Sequence, residues 1–165
     1  MKKNESGRSM VEMLGVLAII GVLSVGGIAG YTMAMNRYRA NEVVDMANKY
    51  AVIAYSAYMT AKMMNNGSDT AGQAAIPEFK DTGLFGSNTS VNGTTIGKAT
   101  IANENGVSIE LTFSDAKACR AAATSLGIAP DTTTTTPGAN PGDPAVTTKA
   151  GCSSNKKLTY VFKQS

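Results

Sequence analysis

Histidine is absent from the chain, which removes together the side chain that most often serves as general base and the one that most often ligates transition metals. No Ser-His-Asp or Cys-His arrangement can be assembled from what remains. Carboxylates are present, but no pair of them stands beside a motif that would line a pocket for acid–base work. Of thiols there are only 2, Cys119 and Cys152, too few for a cysteine-rich zinc site and too far apart for a CxxC redox motif. They read either as two separate buried thiols or, the favoured reading, as one disulfide in an oxidising compartment. The net charge of +3 from 15 basic and 12 acidic residues is mild, and the basic residues form no stripe along which a phosphate backbone could run. The expectation is a protein that is not an enzyme, holds no cofactor or metal, and has no specific nucleic-acid partner.

One carboxylate has an unusual setting. From Met10 to Gly30 the chain is apolar except for Glu12 and Ser24, and about twenty such residues span a bilayer core as a helix. Three readings compete for this stretch: a cleaved secretory signal, a permanent anchor, and a segment that serves first as anchor and then as a packing surface. Lys2 and Lys3 supply the basic start of a secretory signal, with Ser24-Val25-Gly26 or Gly27-Ile28-Ala29 as small-residue cleavage sites. Glu12 opposes that reading, because a carboxylate inside the apolar region hinders insertion. Near one end of the stretch it can instead reach the headgroup region, whereas a charge deeper in the membrane calls for a partner.

The periodicity beyond Gly30 also opposes a signal. From Tyr31 to Met64 there is neither proline nor glycine, and Ala40, Val43, Ala47, Tyr50, Ala54, Ala57 and Ala61 recur at steps of three and four, the spacing of one helical face. Asn65-Asn66-Gly67 is a helix stop. A single helix from Arg8 to Met64 is roughly 85 Å long, more than a compact domain of this size needs and suited to a filament subunit. The remainder reads as a small mixed head. Lys98–Ala102 and Val107–Phe113 are strand-like, with a hairpin signal at Glu104-Asn105-Gly106 and a second turn signal at Asn92-Gly93. Ser114 is a candidate N-cap for a short helix placing Ala116, Cys119, Ala123 and Leu126 on one face, with Gly127 as its stop. Pro130 to Thr148, with Thr132 to Thr136 and four prolines, has no period that would bury a face and reads as an exposed loop. Leu158 to Phe162 reads as a closing strand.

Taken together, Gly7-Arg8-Ser9-Met10-Val11-Glu12-Met13-Leu14 resembles the processing site of type IV prepilins. In that family a peptidase cuts after the glycine, the new N-terminus is methylated, and a glutamate is the fifth residue of the mature chain, ahead of a long apolar helix. The resemblance covers Lys3 to about Tyr58. It implies cleavage between Gly7 and Arg8, N-methylation of Arg8, and an assembly charge at Glu12 that meets a neighbour's N-terminus. Arg8 departs from the apolar first residue usual in the family. The C-terminal order of strand, Ser114-Asp115-Ala116-Lys117-Ala118-Cys119, helix, loop, Cys152 and last strand is similar to the disulfide-bounded region of type IVb pilins, although leaders there are longer.

The fold expected is therefore α+β: a leader at 1–7, a long N-terminal helix at 8–66 whose residues 10–30 cross the membrane or fill a filament core, and a head at 67–165. In that head a small antiparallel sheet packs on the helix, a Cys119–Cys152 disulfide bounds the C-terminal region, and a flexible loop occupies 130–148. The resemblance implies a structural subunit of a type IV pilus, stored in the inner membrane and then exported into an extracellular homo-oligomeric filament. Its partners would be a prepilin peptidase and the pilus assembly platform with its ATPase. The alternatives are a pseudopilin of a type II secretion system and a membrane-anchored exported binding module.

Overall fold

A computed structural model of the protein describes residues 6–103, 106–136 and 146–163. It is α+β, with a long N-terminal helix, an antiparallel sheet and one disulfide. Helix α1 runs over Ser6–Met64, and the chain divides into two compact units, Met1–Asn36 and Arg37–Ser165.

The first unit is helix from Ser6 onward. Two of its hydroxyls turn back onto the helix backbone: Ser24 Oγ donates to the Ile20 carbonyl at 2.7 Å and Thr32 Oγ1 to the Ala29 carbonyl at 2.9 Å. Such bonds satisfy polar groups locally in a segment whose other side chains offer them nothing.

In the second unit the remainder of α1 lays one face on the core. Ala40, Val43, Ala47, Tyr50, Ala54 and Tyr58 are buried, while Asn41, Asp45, Asn48, Lys49, Ser56 and Thr60 are exposed. This is the expected face as far as Ala54, beyond which Tyr58 is buried and the expected Ala57 and Ala61 are half-buried. The helix stops where expected. Asn66 and Gly67 take positive φ of 52° and 81°, and the Gly67 amide donates to the Lys62 carbonyl at 2.8 Å, the left-handed closure that glycine permits at lowest cost. A short helix α2 (Asp69–Ala74) follows, with the Ser68 side chain accepting from the Ala71 amide at 3.3 Å. Next come a 3-10 turn at Phe79–Thr82 and strand β1 at Leu84–Ser87, which stays outside the main sheet.

That sheet has seven strands: β2 (Ser90–Val91), β3 (Thr94–Ile96), β4 (Thr100–Asn103), β5 (Gly106–Phe113), β6 (Thr133–Thr136), β7 (Val146–Gly151) and β8 (Lys157–Lys163). The order is β2-β3-β5-β8-β7-β6, every pairing antiparallel. β3 and β4 share one side of β5: Ile96 pairs with Leu111, and Thr100 with Ser108. Between them, at Gly97 to Ala99, the ladder is interrupted. The Gly97 amide still donates to the Glu110 carbonyl at 2.8 Å, and a β-carbon on Gly97 would lie 3.0 Å from that same oxygen. On β5, Val107, Ile109, Leu111 and Phe113 are buried and alternate with more exposed residues, the period of a strand with one face on a core.

Helix α3 (Ala116–Ser125) buries Cys119, Ala122 and Ala123, joining the core cluster that holds α1 and the sheet. Asp115, not Ser114, is its N-cap, and without a side-chain cap bond. Ser114 is engaged elsewhere: its amide donates to the Gly93 carbonyl at 3.2 Å and its carbonyl accepts from Lys156 Nζ at 3.1 Å. It therefore ends the strand instead of starting the helix. The strand expected at Lys98–Ala102 begins later, at Thr100, because Gly97 to Ala99 form the interruption. The hairpin signal at Glu104-Asn105-Gly106 has its first two residues outside the described residues, and the strands on either side of it pair antiparallel.

The larger correction concerns Pro130 to Thr148, read from the sequence as one exposed loop. Thr133–Thr136 form β6, paired residue for residue with β7 from Thr133 opposite Lys149 to Thr136 opposite Val146. Threonine is β-branched and favours the pleated backbone, so a run of it can form a strand through backbone pairing without a buried alternation. Residues 137–145, where the prolines Pro137, Pro141 and Pro144 fall, lie outside the described residues.

Candidate functional site

Gly7 and Arg8, between which the prepilin resemblance implies a cut, fall in the first turn of α1. Glu12 follows on the same helix and is exposed. From Met10 to Ile28 every large apolar side chain is between 53% and 75% exposed. The most apolar window of this helix has a mean hydropathy of 2.2 and nothing in it is buried within the chain. By length and composition, then, α1 can cross a membrane. The exposure is not confined to a stripe, and a helix apolar on all sides is one that is surrounded, by lipid or by protein. Covering a Val, Leu, Ile or Met side chain completely is worth about 1.5–3 kcal/mol, so the run as a whole represents on the order of tens of kcal/mol that the isolated chain leaves unrealised.

The glycines of this segment fit the same picture. At Gly15, Gly21, Gly26, Gly27 and Gly30 an added β-carbon would meet nothing within 4 Å. Among the described residues no turn and no neighbour calls for glycine there. Three readings stay open: close approach of something from outside, for which Gly26 and Gly30 have the GxxxG spacing, a helix made easier to loosen at about 1 kcal/mol per glycine relative to alanine, or plain small residues packed in a membrane helix.

At the other end of the chain the two cysteines are joined. Cys119 on α3 and Cys152 in the turn after β7 form a disulfide with Cα atoms 5.4 Å apart, both fully buried. The reading as separate thiols is thereby set aside. The bridge fastens α3 to the β7–β8 turn, one turn short of the final strand.

Sequence reasoning missed a second fastening laid beside it. The Asp131 carboxylate accepts from the Ser153 amide at 2.6 Å and from the Ser153 hydroxyl at 2.5 Å, while Arg120 Nη2 donates to Ser153 Oγ at 2.7 Å and stands 3.8 Å from Asp131. Hydrogen bonds from the Ser153 hydroxyl first, then its amide, with the Arg120 charge adding to them, hold the Asp131 carboxyl below the ordinary carboxylate range. A signal existed: Arg120 follows Cys119 and Ser153 follows Cys152, so residues flanking a bridge are brought together with it.

A second polar group closes the end of α1. Asp69 pairs with Lys62 at 2.7 Å and accepts a short bond from the Tyr58 hydroxyl, and Lys62 Nζ lies 5.6 Å from the Tyr58 ring centroid. With Thr70, Gln73 and Ile101 these line an open depression of about 510 Å³. Its hydrogen bonds are spent on structure: Lys62 and Asp69 bind each other across the helix end, and Gln73 Oε1 accepts from the Ile101 amide at 3.2 Å. Among the described residues no group of three His, Cys, Asp or Glu is placed to hold a metal ion.

Comparison with family models, with curated proteins and with solved structures returns no significant match.

Proposed function

We propose that the chain is a structural subunit, major or minor, of a type IV pilus. It is stored in the inner membrane by the first half of α1, cut after Gly7, and built through that same helix into an extracellular filament. The observation that carries this reading is the exposed apolar run of α1 with a single carboxylate, Glu12, five residues beyond Gly7. Lipid covers that surface in storage and the helices of neighbouring subunits cover it after assembly, so one segment serves both states. The buried disulfide in the head suits delivery to an oxidising exterior.

The test is the intact mass of the protein recovered from membrane and from filament. A mature chain beginning at Arg8 is expected, and any methyl group on Arg8 appears in the same spectrum. Gly7→Val is expected to leave uncut precursor in the membrane and no filaments. Normal-sized mature protein and normal filaments from that variant would sink the proposal. A monomer that keeps its first seven residues would instead favour an anchored binding module.

A further inference from the structure

Directly after the apolar run, α1 carries Arg37, Tyr38 and Arg39, all exposed, and then Ala40, 2% exposed and turned into the core. Successive helix residues are about 100° apart. The two guanidinium groups therefore stand on opposite flanks with Tyr38 between them, distributed around the part of the circumference that Ala40 does not occupy. Among the described residues neither arginine makes a hydrogen bond or ion pair. The acidic groups of the next turns are engaged elsewhere, Glu42 with Asn92 at 2.6 Å and Asp45 with Lys49 at 2.7 Å.

Their position along the sequence matters as much as their freedom. From Met13 to Asn36 no side chain carries a charge, and at about 1.5 Å per residue that run covers roughly 36 Å. A bilayer's hydrocarbon is about 30 Å thick, and about 40–45 Å with its headgroups. With Glu12 at one headgroup level, the first charges beyond the run reach the other. Tyr31 and Tyr38, 66% and 65% exposed, flank the end of that run in sequence, and tyrosines gather at membrane interfaces. Arginine's planar fork matches phosphate oxygens.

We infer that Arg37 and Arg39, flanking Tyr38, form a collar that holds the phosphates of anionic phospholipids in the leaflet facing the head. The inference rests on the proposed membrane residence of α1. An acidic protein surface would meet one flank of the helix. A headgroup layer meets every exposed flank at one depth, which suits charges on opposite sides of the same turn.

The test uses the full chain, reconstituted head-outward in phosphatidylcholine vesicles, with spin-labelled phosphatidylglycerol or phosphatidylcholine introduced into the outer leaflet alone. Phosphatidylglycerol is expected to be preferred in the motionally restricted lipid by about fivefold per arginine at low salt. The preference should fall to near one in the Arg37→Gln/Arg39→Gln variant and survive in Lys2→Gln/Lys3→Gln, which precede the apolar run in sequence. Equal restriction of the two lipids by the unaltered chain, or a preference that persists without the arginines, overturns the collar. A chain that restricts no lipid and is released by carbonate overturns the membrane reading and the collar with it.

Discussion

Tyr50 joins three parts of the head through one side chain. Its ring meets Phe79 edge-on with centroids 5.5 Å apart; its hydroxyl donates to the Pro77 carbonyl at 2.7 Å and accepts from the Ala99 amide at 3.0 Å. Ala99 lies in the interruption between β3 and β4, so the phenol supplies the acceptor that the broken ladder withholds. Burial, ahead of every other cause, raises its pKa above the ordinary 10.0 and keeps it a neutral donor. Tyr50→Phe leaves a buried amide and a carbonyl unpaired at nearly unchanged volume. It should cost about 1–3 kcal/mol, seen as a lower urea midpoint with an unchanged slope. A midpoint equal to the parent's would mean that water replaces the hydroxyl. Asp131 makes a different prediction, one of pH. Its folded carboxyl titrates below the ordinary 3.8 because of Ser153 and Arg120. A group with a depressed folded pKa binds more protons unfolded, so its stabilisation is full above the ordinary value and fades as pH falls through the folded one. Asp131→Asn should therefore lower the melting temperature near neutral pH and flatten its fall below pH of about 4, and parallel acid limbs for variant and parent would refute this role.

At the scale of elements, legibility followed periodicity. The buried face of α1, its stop at Asn66-Gly67, β5 and the closing strand could all be read, because each carries a pattern of period 3.6 or 2 or a residue suited to positive φ. The cysteines offered two readings, and the fold decides between them. What escaped had no such pattern: α2 has six residues, β2 has two, and β6 is a threonine run whose strand is defined by its partner β7. The Asp131–Ser153–Arg120 group joins residues far apart in sequence and becomes visible only once the cysteines on either side of it are paired. β6 supplies a direct check. The amides of Thr133–Thr136 that point toward β7 should exchange hydrogen more slowly than those on the open side, and uniform, coil-like exchange would restore the loop reading. The disulfide supplies another. It closes a loop with a sequence separation of 33, which the chain-entropy argument values at about 3–4 kcal/mol. That is a large share of the stability of a small head. Cys152→Ser should show this loss in urea and be degraded in cells, and an unchanged midpoint would place the stability of this region in the polar fastening instead.

Over the whole molecule the chain keeps two separate accounts of its apolar surface. In Arg37–Ser165 the buried residues form one core of helix and sheet, closed by Tyr50, by the disulfide and by the polar group around Asp131. From Met10 to Ile28 the large apolar side chains are exposed, and on the proposed reading their partners are lipid and then other copies of the chain. Glu12 separates these two partners. On the proposed reading, in storage it lies near a membrane surface, where water and headgroups solvate it. On the same reading a filament core is apolar and calls for a cation beside the carboxylate, a role the freed N-terminus of a neighbouring Arg8 would fill together with its guanidinium. Removing the carboxylate leaves that positive charge buried and unpaired, a loss of about 3–5 kcal/mol per contact, repeated at every subunit added. Glu12→Ala should therefore insert in the membrane and be cut after Gly7 like the parent, yet stay out of filaments, while Glu12→Asp, which keeps the charge on a shorter side chain, should recover part of the assembly. The ratio of mature protein in the filament fraction to that in the membrane fraction reads this directly. A ratio for Glu12→Ala equal to the parent's would show that the carboxylate serves only as an interfacial residue and that apolar packing alone drives assembly.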